Sequence, residues 1–171
     1  MNDNQGFTLI ELIVVIIIVG VLSAGSVLGA NILGLGSARS TVNRINTMLN
    51  EVQIENMTKN KSYFLMIYEV NGDYHLRVEA GAQKISDEKL KLVRGEITYR
   101  TKDGSTFLVR ENSVEGRNTQ QKLEVTFRKD TGGVAENRKP DPEVVTRIDV
   151  ISAGRSYTIF LVEATGKHYI E

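Results

Sequence analysis

The chain has 171 residues, the length of one anchor plus one domain, and its 21 Lys and Arg against 21 Asp and Glu exclude a partner recognised by bulk charge alone. It has no cysteine, which excludes disulfides, thiol catalysis, lipoprotein anchoring and thiolate metal sites together. The charges are unevenly placed: residues 1–38 hold only Asp3 and Glu11, while residues 39–171 carry 21 basic and 19 acidic groups, a net of +2.

From Leu12 to Ala38 there are 27 uncharged residues. As a helix they span about 40 Å at about 1.5 Å per residue, more than the roughly 30 Å hydrocarbon core of a bilayer. Leu12 to Leu22 is almost wholly aliphatic, whereas Gly25, Gly29, Gly34 and Gly36 recur in the second part. Each interior glycine weakens a helix by about 1 kcal/mol, so a firm first half and a second half able to unwind are expected. A secretory signal peptide should open with positive charge, and MNDNQG carries only Asp3. A plain membrane anchor explains the length, with Gly25-x-x-x-Gly29 as a packing face. Neither reading explains Glu11, whose insertion into hydrocarbon costs roughly 2–3 kcal/mol, or the Gly6-Phe7 junction before it.

The stretch Gly6-Phe7-Thr8-Leu9-Ile10-Glu11-Leu12 resembles the processing site of type IV pilins and pseudopilins. The resemblance implies that a membrane prepilin peptidase cuts between Gly6 and Phe7. It further implies that Phe7 is then N-methylated and that Glu11, the fifth residue of the mature chain, guides assembly. The physics agrees. Cleavage leaves a cationic amine at Phe7, about 6 Å along a helix from Glu11. In a filament the next subunit's amine meets this carboxylate in a low-dielectric setting, where pairing is far stronger than in water. One buried acid then sets the register of apolar helices, as a lone polar residue does in a coiled coil. The chain departs from the pilin pattern in its leader, which lacks Lys or Arg, and at Leu28, where many pilins place proline.

Beyond Gly36, Ala38, Val42, Ile45, Leu49 and Val52 follow 4, 3, 4 and 3 spacing and form one helical stripe. The helix is expected to end near the polar cluster Thr58-Lys59-Asn60-Lys61. Strands follow. Tyr63 to Val70 and Tyr74 to Ala80 flank Asn71-Gly72-Asp73, a hairpin signal. Ile97 to Arg100 and Thr106 to Arg110 flank a second turn at residues 102–105. Leu123 to Phe127 alternates cleanly before the turn at Asp130-Thr131-Gly132-Gly133, and Pro140 and Pro142 mark a loop. Val144 to Val150 and Tyr157 to Val162 are strands, and residues 163–166 turn the chain into Lys167 to Ile170. The expected class is α+β: a long N-terminal helix, then a β-rich domain of antiparallel hairpins. The expected divisions are a leader at 1–6, an apolar helix at 7–37, an amphipathic helix at 38–60 and the β-rich domain at 61–171.

Residues 123–133 (LEVTFRKDTGG) and 156–170 (SYTIFLVEATGKHYI) resemble the H-type minor pseudopilins of type II secretion and the FimT-type minor pilins. That resemblance implies a terminal hairpin whose turn holds Thr165, Gly166 and Lys167. Enzyme chemistry is not indicated. His75 and His168 are isolated, with no paired spacing for a metal, and Ser-x-x-Lys, Gly-x-Ser-x-Gly and phosphate-loop patterns are absent. No cofactor is expected. Some FimT-type relatives take up DNA, so Arg147, Arg155, Lys167 and His168 are candidates for a ligand surface at the end of the sheet. Asp149, Glu163 and Glu171 interleave with them, and a mixed solvated surface is the preferred reading. The expected partners are a prepilin peptidase, other pilin or pseudopilin subunits, the cytoplasmic membrane and a pilus or secretion assembly platform. DNA belongs to the alternative, a membrane-anchored binding module.

Overall fold

The computed structural model describes residues 9–110, 122–139 and 142–171, with side chains for all of these except 21–35. The chain divides into two compact units, residues 1–33 and residues 34–171. One helix, α1 (Leu9–Thr58), opens the described chain and ends at the polar cluster expected to stop it. It runs unbroken through Gly25, Gly29, Gly34 and Gly36, so these glycines do not end it. The reason is cooperativity: once a helix is nucleated, each added residue brings its own hydrogen bond, and scattered glycines weaken it without ending it.

In the second unit the helical stripe is the heart of the core. Ala38, Val42, Ile45, Leu49 and Val52 are at most 1% exposed. They pack with the apolar faces of two five-stranded sheets in a single cluster. The first sheet contains β1 (Tyr63–Val70), β2 (Asp73–Ala80), β3 (Gln83–Lys89), β6 (Leu123–Phe127) and β7 (Val134–Ala135), in the order β3-β2-β1-β6-β7. The second contains β4 (Gly95–Thr101), β5 (Thr106–Leu108), β8 (Val145–Ser152), β9 (Arg155–Leu161) and β10 (His168–Ile170), in the order β10-β9-β8-β4-β5. Neighbouring strands pair antiparallel throughout. The α+β architecture expected from the sequence is therefore the observed one.

The hairpins rest on turn chemistry. Asn71 and Gly72 both have positive φ and join Val70 to Asp73 by a two-residue loop, the geometry that matches strand twist. Strand β2 alternates buried Tyr74, Leu76 and Val78 with half-buried His75, Arg77 and Glu79. Its inner residues meet the core, and its outer residues join a polar layer with Tyr68 and Asp87. There Tyr68 donates to both carboxylate oxygens of Asp87 at 2.8 Å, and Arg77 bonds Asp87 at 2.8 Å and the Tyr68 hydroxyl at 2.7 Å. Burial, then the Asp87 bond, pushes the Tyr68 phenol up to about 12.

Two strands were not expected. In β3 only Ile85 is apolar, and it is exposed, because β3 is an edge of its sheet; the period-2 signal requires a buried face. With two residues, β7 is too short to show any pattern. The polar face of β6 is buried. Glu124 and Thr126 alternate with apolar residues, yet they are 1% and 5% exposed: Arg138 lies on Glu124, and the Thr126 hydroxyl donates to the Tyr63 carbonyl at 2.7 Å. Arg138 donates to Glu124 from its backbone N–H at 2.7 Å and from its guanidinium at 3.1 Å. It also reaches Glu79 at 2.9 Å and the Gly81 carbonyl at 2.7 Å.

Candidate functional site

From Leu9 to Val19, α1 exposes apolar side chains at every position except Glu11. Leu9, Ile10, Leu12, Ile13 and every residue from Val14 to Val19 are between 46% and 78% exposed. At 100° per residue these consecutive positions cover every face of the helix. A helix apolar all round is stable only in lipid or among other helices, and exposure on this scale marks an interaction surface. Among the described residues, no helix is long and apolar enough to cross a membrane.

Glu11 is the single charged residue of this surface, and it sits in the first turn of α1. Its side chain is exposed. The two residues expected to flank the cleavage point, Gly6 and Phe7, lie outside the described residues.

The structure sets one of the cationic candidates, Arg155, apart from the others. The Arg147 Nε–H lies 2.8 Å from both Asp149 oxygens, and the guanidinium stacks over Phe160 at 5.5 Å. Thr158 completes this arrangement by donating to Asp149 at 2.5 Å. The Asp149 bond raises the Arg147 pKa further. Arg155 pairs with Ser152 at the start of β9, whereas Lys167 sits beyond the other end of that strand, its carbonyl accepting from the Val162 N–H at 2.9 Å. Six residue steps of strand separate Arg155 from Leu161, about 20 Å. Of the four candidates, antiparallel register sends Arg155 to the opposite end of the sheet, whereas Arg147 pairs with Phe160, next to the Leu161 that pairs with His168. His168 is held by its own turn, Nδ1 lying 2.9 Å from the Gly166 carbonyl.

Two arrangements have weak sequence signals. The first joins the turns that follow β6 and β9. Gln53 of α1 donates to the Gly132 carbonyl at 2.8 Å and the Thr165 carbonyl at 3.1 Å, and the Val134 N–H donates to Glu163 at 2.8 Å. Both turns carry a Thr-Gly pair, which was the legible part, but nothing near Gln53 announces its role. The second is Lys139, whose side chain is 1% exposed; its ammonium lies 2.5 Å from the Tyr99 hydroxyl and 3.1 Å from Glu143. Burial pushes the Lys139 pKa down, with Glu143 opposing. Between Arg138 and Pro140 in a loop, it reads as a surface residue.

Residues 1–27 match the model of the prokaryotic N-terminal methylation motif. No curated protein and no solved structure matches the chain. The motif spans the Gly6-Phe7 junction and Glu11, and it supports a pilin-like protein processed by prepilin peptidase.

Proposed function

We propose that the chain is a structural subunit of a type IV pilus or a type II secretion-like pseudopilus, processed between Gly6 and Phe7. The observation that carries this reading is the methylation motif over residues 1–27 joined to a helix whose first turn sets Glu11 among exposed Leu, Ile and Val. Residues 1–6 are the leader, and residues 7–37 hold the subunit in the cytoplasmic membrane before assembly. Residues 38–60 dock that helix on the β-rich domain, which lies outside the membrane. Cleavage frees the Phe7 amine, methylation leaves it cationic, and in the filament it meets a neighbour's Glu11. Breaking such a buried pair by removing one partner costs about 3–5 kcal/mol, so a misregistered subunit is rejected. The partners are the prepilin peptidase, other subunits and the assembly platform, and the role is structural rather than catalytic.

The finer reading is a minor subunit of the H-type or FimT-type. It is supported by the Thr165-Gly166 turn lying against Gln53 of α1. The DNA-binding alternative gains no support from a surface on which Arg147 is engaged by Asp149 and Arg155 points to a different end of the sheet. Glu11→Ala tests the proposal. The variant should be processed normally and yet be missing from sheared filaments probed by immunoblot; wild-type incorporation would contradict the role given to the carboxylate.

A further inference from the structure

Just past the uncharged run, the first cationic turn of the second unit meets the end of β3 in a cleft of about 200 Å³. Its walls include Ser40, Thr41 and Arg44 from α1, and Glu88, Lys89 and Lys91 from the end of β3 and the segment after it. Thr41 is 2% exposed, and its Oγ1 has no hydrogen-bond partner among the described residues. A helical threonine ordinarily donates to the carbonyl four residues back. Thr47 and Thr58 of the same helix do so, to Asn43 at 3.0 Å and Ile54 at 2.7 Å. A buried orphan hydroxyl is unfavourable, and this one lines a cleft edged by three cations.

We propose that this cleft binds a phosphate group, with the Thr41 hydroxyl donating to one oxygen and Lys89, Lys91 and Arg44 neutralising the others. Glu88 does not block it, because its carboxylate is engaged by the Arg44 Nε at 2.5 Å, a bond that does not use the terminal guanidinium nitrogens. Lys89 bonds Asp73 at 2.6 Å, an exposed pair that an anion can draw upon. Lys91 is exposed and has no ion pair among the described residues. Ala38, the last residue of the uncharged run, lies three positions before Thr41. On the membrane-anchored reading given above, on which this choice rests, the phosphate is that of an anionic phospholipid. Val93, 47% exposed and held to Ser37 by a 3.1 Å hydrogen bond, supplies an apolar neighbour for the lipid glycerol. Anionic headgroups attract such juxtamembrane cations.

The test uses the full chain in a neutral maltoside detergent, titrated with dihexanoyl phosphatidylglycerol or inorganic phosphate at matched ionic strength and followed by amide chemical shifts. Saturable shifts confined to residues 40–44 and 88–93, with the lipid binding tighter, are expected. Lys91→Gln should weaken binding about tenfold, the loss of one charge-assisted hydrogen bond. Thr41→Val should lose binding and yet raise Tm, because it removes the orphan hydroxyl without changing shape. Equal or tighter binding of inorganic phosphate would overturn the lipid assignment. Absence of saturable shifts with either ligand, or wild-type binding by Thr41→Val, would overturn the site. Leader removal scored by intact mass on the same preparation is independent of this, so failure of the filament reading would show separately.

Discussion

Gly166 lies so close to Gly132 that a Cβ on Gly166 would overlap the Gly132 carbonyl oxygen and stand 2.5 Å from the Gln53 amide nitrogen. The backbone at Gly166 also has φ near +65°. Two turns from different sheets therefore touch backbone to backbone, and one helix side chain ties both. Gly166→Ala adds a strained backbone conformation to an overpacked contact. It should cost about 2–4 kcal/mol by those two effects, read as a lower denaturation midpoint. Gln53→Leu should cost about 1–3 kcal/mol by leaving two carbonyls unpaired. A Gly166→Ala protein as stable as wild type would contradict the close approach.

The Arg138–Glu124 pair gives a prediction of opposite character. The Glu124 side chain is fully buried, and its pKa is lowered: burial opposes ionisation, but the Arg138 hydrogen bonds outweigh it. A carboxyl whose folded pKa is depressed contributes stability above its unfolded value, and that contribution is lost as pH falls through the folded one. Stability should therefore decline on acidification below the ordinary glutamate range, and less so in Glu124→Gln. Arg138→Ala should cost about 3 kcal/mol at neutral pH by stranding the carboxylate. Urea melts at several pH values check both.

Lys139 acts at the other end of the pH scale. Burial lowers its pKa below the ordinary 10.5, so in the window between the two values the unfolded chain binds more protons than the folded one. Stability should rise with pH through that window. Above 10 the trend reverses, because Tyr68 and Tyr99 hold their protons longer folded than unfolded. Lys139→Met should flatten the rise below pH 10 and leave the later fall. An unchanged slope in that variant would contradict the buried ammonium.

The helical stripe offers the plainest stability prediction. Leu49 is fully buried among both sheets. Leu49→Ala should cost about 2–5 kcal/mol through lost burial and the cavity left behind, measured by thermal or denaturant unfolding. Asn50→Ala, on the exposed side of the same turn, should cost far less.

What could be read from the sequence follows where a physical signal has a period or a motif. The Ala38–Val52 stripe was legible because a helix face buried on a sheet must recur every three to four residues. The Asn71-Gly72 turn was legible because it needs positive φ twice. Strand β3 was not, because an exposed edge strand has no buried face to imprint on its residues. The alternation of β6 was legible, but nothing local announces that Arg138 folds back over Glu124 from fourteen positions away. Gln53, Gly132 and Gly166 are separated by up to 113 positions, so their meeting is a property of the fold alone. For the candidate site, Glu11 stood out as one charge in an apolar run. Arg155 could not be placed, because proximity in sequence says nothing of which end of a strand a residue occupies.

The account depends most on the freed Phe7 amine that Glu11 is held to meet. Intact-mass measurement of the chain purified from membranes of cells making an active prepilin peptidase tests it directly. The expected mass is that of a chain beginning at Phe7 with one added methyl group. A chain that keeps residues 1–6 in those cells would contradict the account.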